Sequence, residues 1–135
     1  MSTCALVKFI DTSDHEFVTV YHHYNGWIKG GIGESLARFL NRTKIINGIC
    51  GQKLSDRVAN GYGCLIAQYI AINKKDVGNV YIRQIEIDED NDYIDYIYYV
   101  IYNDKDSTMK IRVVSSKEQI FEGSPEELLE FISEN

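Results

Sequence analysis

Three runs in the second half of the chain constrain its fold more than any other feature. Residues 80–87, 93–102 and 109–114 are rich in β-branched and aromatic side chains, which suit a pleated, half-buried surface. Turn-forming clusters separate them, Asp88-Glu89-Asp90-Asn91-Asp92 and Asn103-Asp104-Lys105-Asp106-Ser107. The pattern predicts an antiparallel meander, followed by a short extended piece at 119–122. Ser124 then reads as a helix N-cap, with Pro125 at the first helical position and Glu127 completing a capping box. Leu128, Leu129 and Ile132 are the residues that would dock this last helix.

The first half reads differently. Residues 5–11 and 17–23 form a predicted hairpin around Thr12-Ser13-Asp14-His15, and Asn25-Gly26 is the strongest turn dipeptide in the chain. Ile32, Leu36, Phe39 and Leu40 recur at helical spacing. Residues 41–55 are polar and glycine-punctuated, and read as a loop. Val58, Tyr62, Leu65, Ile66, Tyr69 and Ile70 share one face of a second helix. Gly61 and Gly63 in its first turns imply either a start near Asn60, a good N-cap, or something packed closely against them. With 135 residues there is material for one core, and no linker divides it. The expectation is a single α+β domain over residues 1–135. Its sheet is mostly antiparallel, with five or six strands and about three helices packed on one face.

The net charge of −6 argues against nucleic acid as a partner, because few phosphates could be neutralised. A local basic face from Lys29, Arg38, Arg42, Lys44 and Lys53 is the residue set such binding would need. Cys4, Cys50 and Cys64 make an odd number without CxxC spacing, so free thiols in a reducing cytoplasm are expected, not disulfides or a zinc site. No apolar run reaches the roughly 20 residues that span a bilayer, and the first ten residues lack the pattern of a secretory leader. Plentiful isoleucine, tyrosine and asparagine with one proline resemble chains from AT-rich genomes, large DNA viruses among them. The expected location is therefore the cytoplasm, or a virion if the source is viral. No membrane, cofactor or metal is implied, and a homo-oligomer is compatible with the composition.

Chemistry concentrates in residues 21–33. Gly30, Gly31 and Gly33 precede a helix, whose free N–H groups attract anions, and Lys29 would add a cation. Yet the spacing is neither GxGxxG nor a P-loop, and glycines also serve close packing where strand turns into helix. His22 and His23 are adjacent on a strand and so face opposite ways, which prevents joint metal ligation. His23 falls on the face of Phe17, Thr19 and Tyr21, and His22 joins Val18, Val20 and Tyr24. Cys64, near a helix start, could pair with either histidine as a nucleophile, against a plainer role as a small helix-contact side chain. Asp88, Asp90 and Asp92 mimic a calcium loop but lack its glycine and its final glutamate, so a solvated turn is the better account. Tyr93, Tyr96, Tyr98, Tyr99 and Tyr102 put rings on both faces of one strand, and an exposed aromatic stripe beside acidic turns suits a protein partner.

Several segments look familiar together: Val20-Tyr21-His22-His23-Tyr24-Asn25-Gly26-Trp27, Gly31-x-Gly33-x-x-Leu36-x-x-Phe39-Leu40, Asn60-Gly61-Tyr62-Gly63-Cys64-Leu65 and Ile120-Phe121-Glu122-Gly123-Ser124-Pro125-Glu126-Glu127. They resemble a family of short, functionally uncharacterised proteins of microbes and large DNA viruses. The resemblance implies an α+β fold and one joint site from residues 21–33 and 60–64. It brings no reaction and no cofactor. Ile28 follows Trp27 where the resemblance leads one to expect proline, and Asn25 stands where it leads one to expect aspartate.

The leading expectation is a non-enzymatic protein-interaction or accessory factor. The alternative is a small-ligand, anion-binding or enzymatic site between the turn at 27–33 and the helix start at 60–64. Its residues would be Tyr21, His22, His23, Tyr24, Asn25, Gly26, Trp27, Lys29, Gly31, Gly33, Asn60 and Cys64.

Overall fold

The computed structural model describes residues 3–48, 51, 53, 56–83 and 94–135. Its centre is β1 (Ala5–Asp11), buried at every position but the last. The backbone groups of β1, which point along the sheet, are paired on both sides. It has β2 (Glu16–His22), antiparallel, on one and β6 (Tyr96–Asn103), parallel, on the other. β5 (Val80–Arg83) pairs antiparallel with β2, while β7 (Thr108–Ser115) and β8 (Glu118–Gly123) continue from β6. The sheet therefore has six strands in the order β5-β2-β1-β6-β7-β8. With three helices, α1 (Ile32–Arg42), α2 (Tyr62–Asn73) and α3 (Pro125–Ser133), the protein is an α+β fold with a mostly antiparallel sheet.

The meander expected from residues 80 onward is only partly formed. β6, β7 and β8 follow one another, but β1 and β2 lie between β5 and β6. Strand propensity reports that a segment is extended; its partner is chosen by the faces it can bury. Tyr98 and Val100 of β6 lie in the same core as Val7 and Phe9 of β1, and that match places β6 beside β1. Residues 84–87, Tyr93 and the acidic turn Asp88-Glu89-Asp90-Asn91-Asp92 lie outside the described residues, as does Cys50.

Two further expectations are corrected. Residues 41–55 contain a strand, β3 (Lys44–Ile46), paired in parallel with β4 (Val58–Asn60). Only Ile45 and Ala59 of this small sheet are buried, too few for a readable period. Val58 thus belongs to β4 and not to the helical stripe. Gly61, at φ 89°, turns the chain into α2 in place of Asn60, whose side-chain oxygen accepts from the Gly48 N–H at 3.0 Å.

The helices cover one face of the sheet, where Leu36, Phe39, Leu40, Leu65, Ile66, Tyr69, Leu128 and Ile132 meet Ala5, Val7, Phe9, Val20, Tyr98 and Val100. α3 starts as expected: the Ser124 hydroxyl accepts from the Glu127 N–H, and the Glu127 carboxylate accepts from the Ser124 N–H at 2.8 Å. Ser124→Ala is expected to lower stability by about 1 kcal/mol in urea denaturation, with the fold retained.

A bulge modifies β2. Val18 pairs with Phe9, but Glu16, not Phe17, pairs with Ile10. The extra residue breaks the alternation, so Phe17 leaves the face of Thr19 and Tyr21 on which it was expected and packs edge-on against Tyr62 of α2 at 5.1 Å. Glu16 swings to the helix-free face and meets Lys8 at 2.7 Å. Both side chains of that ion pair are largely covered.

Candidate functional site

The histidines separate as alternation requires. His22 points into the helix-covered core, is 2% exposed, and shares a 2.8 Å hydrogen bond between its Nε2 and the Tyr69 hydroxyl. Burial pushes its pKa down to about 4, so it is a neutral core residue at physiological pH. His23 lies on the other side, its Nδ1 2.8 Å from the Tyr21 hydroxyl. That hydroxyl is also 3.3 Å from the Cys4 sulfur, and the Cys4 thiol donates to the His23 carbonyl at 3.5 Å. Cys4 was not among the residues singled out for a site. It comes there only because β1 and β2 pair with Ala5 opposite His22, a register that nothing local in the sequence announces.

Residues 25–34 form a closed loop held from several sides. The Gly26 N–H donates to the Thr3 carbonyl at 2.8 Å, and the buried Tyr98 hydroxyl donates to the Gly26 carbonyl at 2.7 Å. The Ile32, Gly33 and Glu34 N–H groups donate to the carbonyls of Asn25, Trp27 and Ile28. These are the first three donors of α1, the groups an anion would need. The Gly30 N–H is taken by the Glu34 carboxylate, which Arg38 also binds through two nitrogens. The Lys29 ammonium donates to the Asn135 carbonyl at 3.2 Å. The glycines make this closure sterically feasible. A Cβ on Gly31 would lie 2.5 Å from both the Asn25 and the Trp27 carbonyl oxygens, and one on Gly33 would lie 2.7 Å from the Ile28 Cα. The run thus serves close packing at a strand-to-helix junction, and the N–H groups of Gly30 and Gly33 are already used.

The second half of the expected joint site is elsewhere. At the start of α2, the Tyr62 hydroxyl lies 3.0 Å from both the Ile10 and the Val100 carbonyls. The loop at 25–34 is instead fastened to Thr3. Thr3 and Ile10 are seven residue steps apart along and just before β1, about 23 Å at about 3.3 Å per residue. Asn60 and Cys64 therefore sit at the opposite end of the sheet from Gly26, Trp27, Gly31 and Gly33. Cys64 is exposed and donates to the Gln68 side chain at 3.3 Å. It was the resemblance that implied a single site from these two segments. The length of β1 separates them.

The tyrosine stripe is likewise less exposed than expected. Tyr98 is wholly buried, Tyr102 stacks on Tyr62 at 4.5 Å, and Tyr99 lies beneath the Arg112 guanidinium. The most exposed aromatic side chains among the described residues are Tyr24, at 56%, and Trp27, at 55%, with Phe17 and Tyr81 about half exposed elsewhere. Tyr24 and Trp27 flank Asn25 and Gly26, with Tyr24 edge-on to His23 and Trp27 6.5 Å from Tyr96.

A cavity of about 470 Å³ lies apart from this loop, with Arg42, Lys44, Asp106, Thr108, Met109 and Pro125 in its wall. The Asp106 carboxylate there already accepts from the Thr108 N–H and hydroxyl, bonds that hold its pKa below the ordinary range. Among the described residues no three His, Cys, Asp or Glu side chains are grouped to hold a metal, and no helix is long and apolar enough to cross a membrane. In comparisons with family models, with curated proteins and with solved structures, nothing matches this chain.

Proposed function

We propose that this chain is a non-enzymatic protein-interaction module whose contact surface is the loop carrying Tyr24 and Trp27. The observation that supports the reading is two large aromatic side chains, each more than half exposed, on a backbone whose polar groups are bonded to its own fold. Aromatic anchors on a rigid frame lose little conformational entropy on binding, and such residues dominate the energetics of protein interfaces. The neighbouring His23 and Tyr96 rings hold them at their bases. A ligand or anion site in the same loop has less support, since the helix donors are used and Lys29, His22 and Cys64 point to different places.

Trp27 is the chain's single tryptophan, so its emission reports directly on this surface. Partner capture should shift that emission to shorter wavelength. The double variant Tyr24→Ala, Trp27→Ala should keep the wild-type melting temperature within a few degrees. It should lose the partner that affinity capture from a lysate retains on the native protein. Equal capture by both proteins rules the reading out.

A further inference from the structure

We propose that the cavity of about 470 Å³ beside the start of α3 binds a small monocarboxylate with an apolar body, its carboxylate held by Arg42, Lys44 and the Thr43 hydroxyl. The passage from α1 into β3, the hairpin between β6 and β7, and the start of α3 meet there. They supply two kinds of surface. Leu40, Ile45 and Pro125 are buried and Met109 is partly buried, an apolar lining for a carbon skeleton. Arg42 and Lys44 are exposed, and among the described residues neither side chain has an ion pair or a hydrogen bond. The Arg42 guanidinium lies 6.0 Å from the centre of the Phe39 ring, a contact that leaves its N–H donors available.

Thr43 points to a ligand independently. It is 8% exposed, and its hydroxyl has no hydrogen-bond partner among the described residues. A hydroxyl in so covered a residue is normally bonded, because leaving it without a partner is costly. This one is not sealed from solvent, and the cavity that Thr43 lines is where a partner can reach it. Charge then selects the class of ligand. The hairpin contributes Asp106, whose carboxylate accepts from the Thr108 N–H and hydroxyl through one oxygen, bonds that keep it ionised. Two cations and one carboxylate leave a single positive charge, which a monoanion matches and a phosphate dianion exceeds. A planar carboxylate also fits the guanidinium fork. The start of α3 adds nothing to this, for the Ser124 and Glu127 N–H groups are taken by the capping box and Pro125 has none.

Met109 makes the cavity visible, because Met1 is the only other methionine in the chain. In protein carrying carbon-13 at its methionine methyls, octanoate below its micellar concentration should shift the Met109 resonance saturably. Octylammonium, the same body with the opposite charge, should not. Octyl phosphate, a dianion at about pH 8, should bind more weakly than octanoate. Arg42→Gln combined with Lys44→Gln should raise the octanoate dissociation constant roughly tenfold or more. Thr43→Val, which removes only the hydroxyl, should raise it about fivefold. Both variants should keep the wild-type circular dichroism, since none of the three side chains is hydrogen-bonded among the described residues. The comparison of the three probes uses the unmutated protein and is free of any folding defect. A Met109 resonance that octanoate leaves in place overturns the proposal. Equal binding of octylammonium, tighter binding of octyl phosphate, or octanoate affinity unchanged in either variant overturns it too.

Discussion

Gly31→Ala should destabilise the protein by about 3 kcal/mol, at the upper end of what overpacking usually costs. The added methyl would meet the Asn25 and Trp27 carbonyl oxygens at 2.5 Å, and both are backbone atoms that already accept from the Ile32 and Gly33 N–H groups. Relief requires the loop to lift from the start of α1, which leaves those donors and acceptors unpaired. Gly30→Ala is the matched control. Its φ of 77° disfavours a side chain, but no atom lies within 4 Å of the new Cβ, so about 1 kcal/mol is expected. Urea denaturation measures both, and the two variants losing the same stability would mean that close approach is not what Gly31 provides. Because Tyr24 and Trp27 ride on this loop, partner capture should weaken in Gly31→Ala at temperatures where it remains folded.

The second large effect is a dependence of stability on pH. His22 has a folded-state pKa of about 4 against an ordinary value of 6.5, because burial disfavours its charged form. Between those values the unfolded chain binds a proton that the folded chain does not, so stability rises with pH across the window. It is complete above about pH 6.5, falls as the pH drops toward 4, and loses no more from this group below that. A difference of this size corresponds to roughly 3 kcal/mol. The variant His22→Gln keeps a polar partner for the Tyr69 hydroxyl and cannot titrate. Chemical denaturation at a series of pH values should show the wild-type slope in this window and a flatter one in His22→Gln. Equal slopes would mean that His22 does not carry the effect; Asp11 and Glu34, whose hydrogen bonds hold their pKa values below the ordinary 3.8 and 4.5, add their own dependence only at lower pH.

Much of the local structure was legible in the residues. The capping box at Ser124, the opposite faces of His22 and His23 and the exposed side of α2 that carries Cys64 all follow from interactions within a few residues. Such features depend on neighbours along the chain, and those neighbours are visible in sequence. The β2 bulge was not legible. Phe17 and Glu16 exchange roles because Tyr62 of α2 and Lys8 of β1 lie where those side chains can reach them, and neither partner is close in sequence. The burial of Tyr98 has the same kind of cause. One ring among five in a strand carries no mark that the Gly26 carbonyl waits above it.

The candidate site divides along the same line. Residues 21–33 announce a strand and a helix start, and both form there, but the turn lies at Lys29-Gly30 and not at Asn25-Gly26. The pairing of β1 with β6, the placement of β5 at the edge and the distance between the loop and the start of α2 depend on which faces bury against which. Propensity and spacing act over one or two turns, whereas burial is settled by the whole core at once. For that reason two segments that look alike in sequence stand at opposite ends of the sheet, and an aromatic loop, not a pocket, faces the solvent.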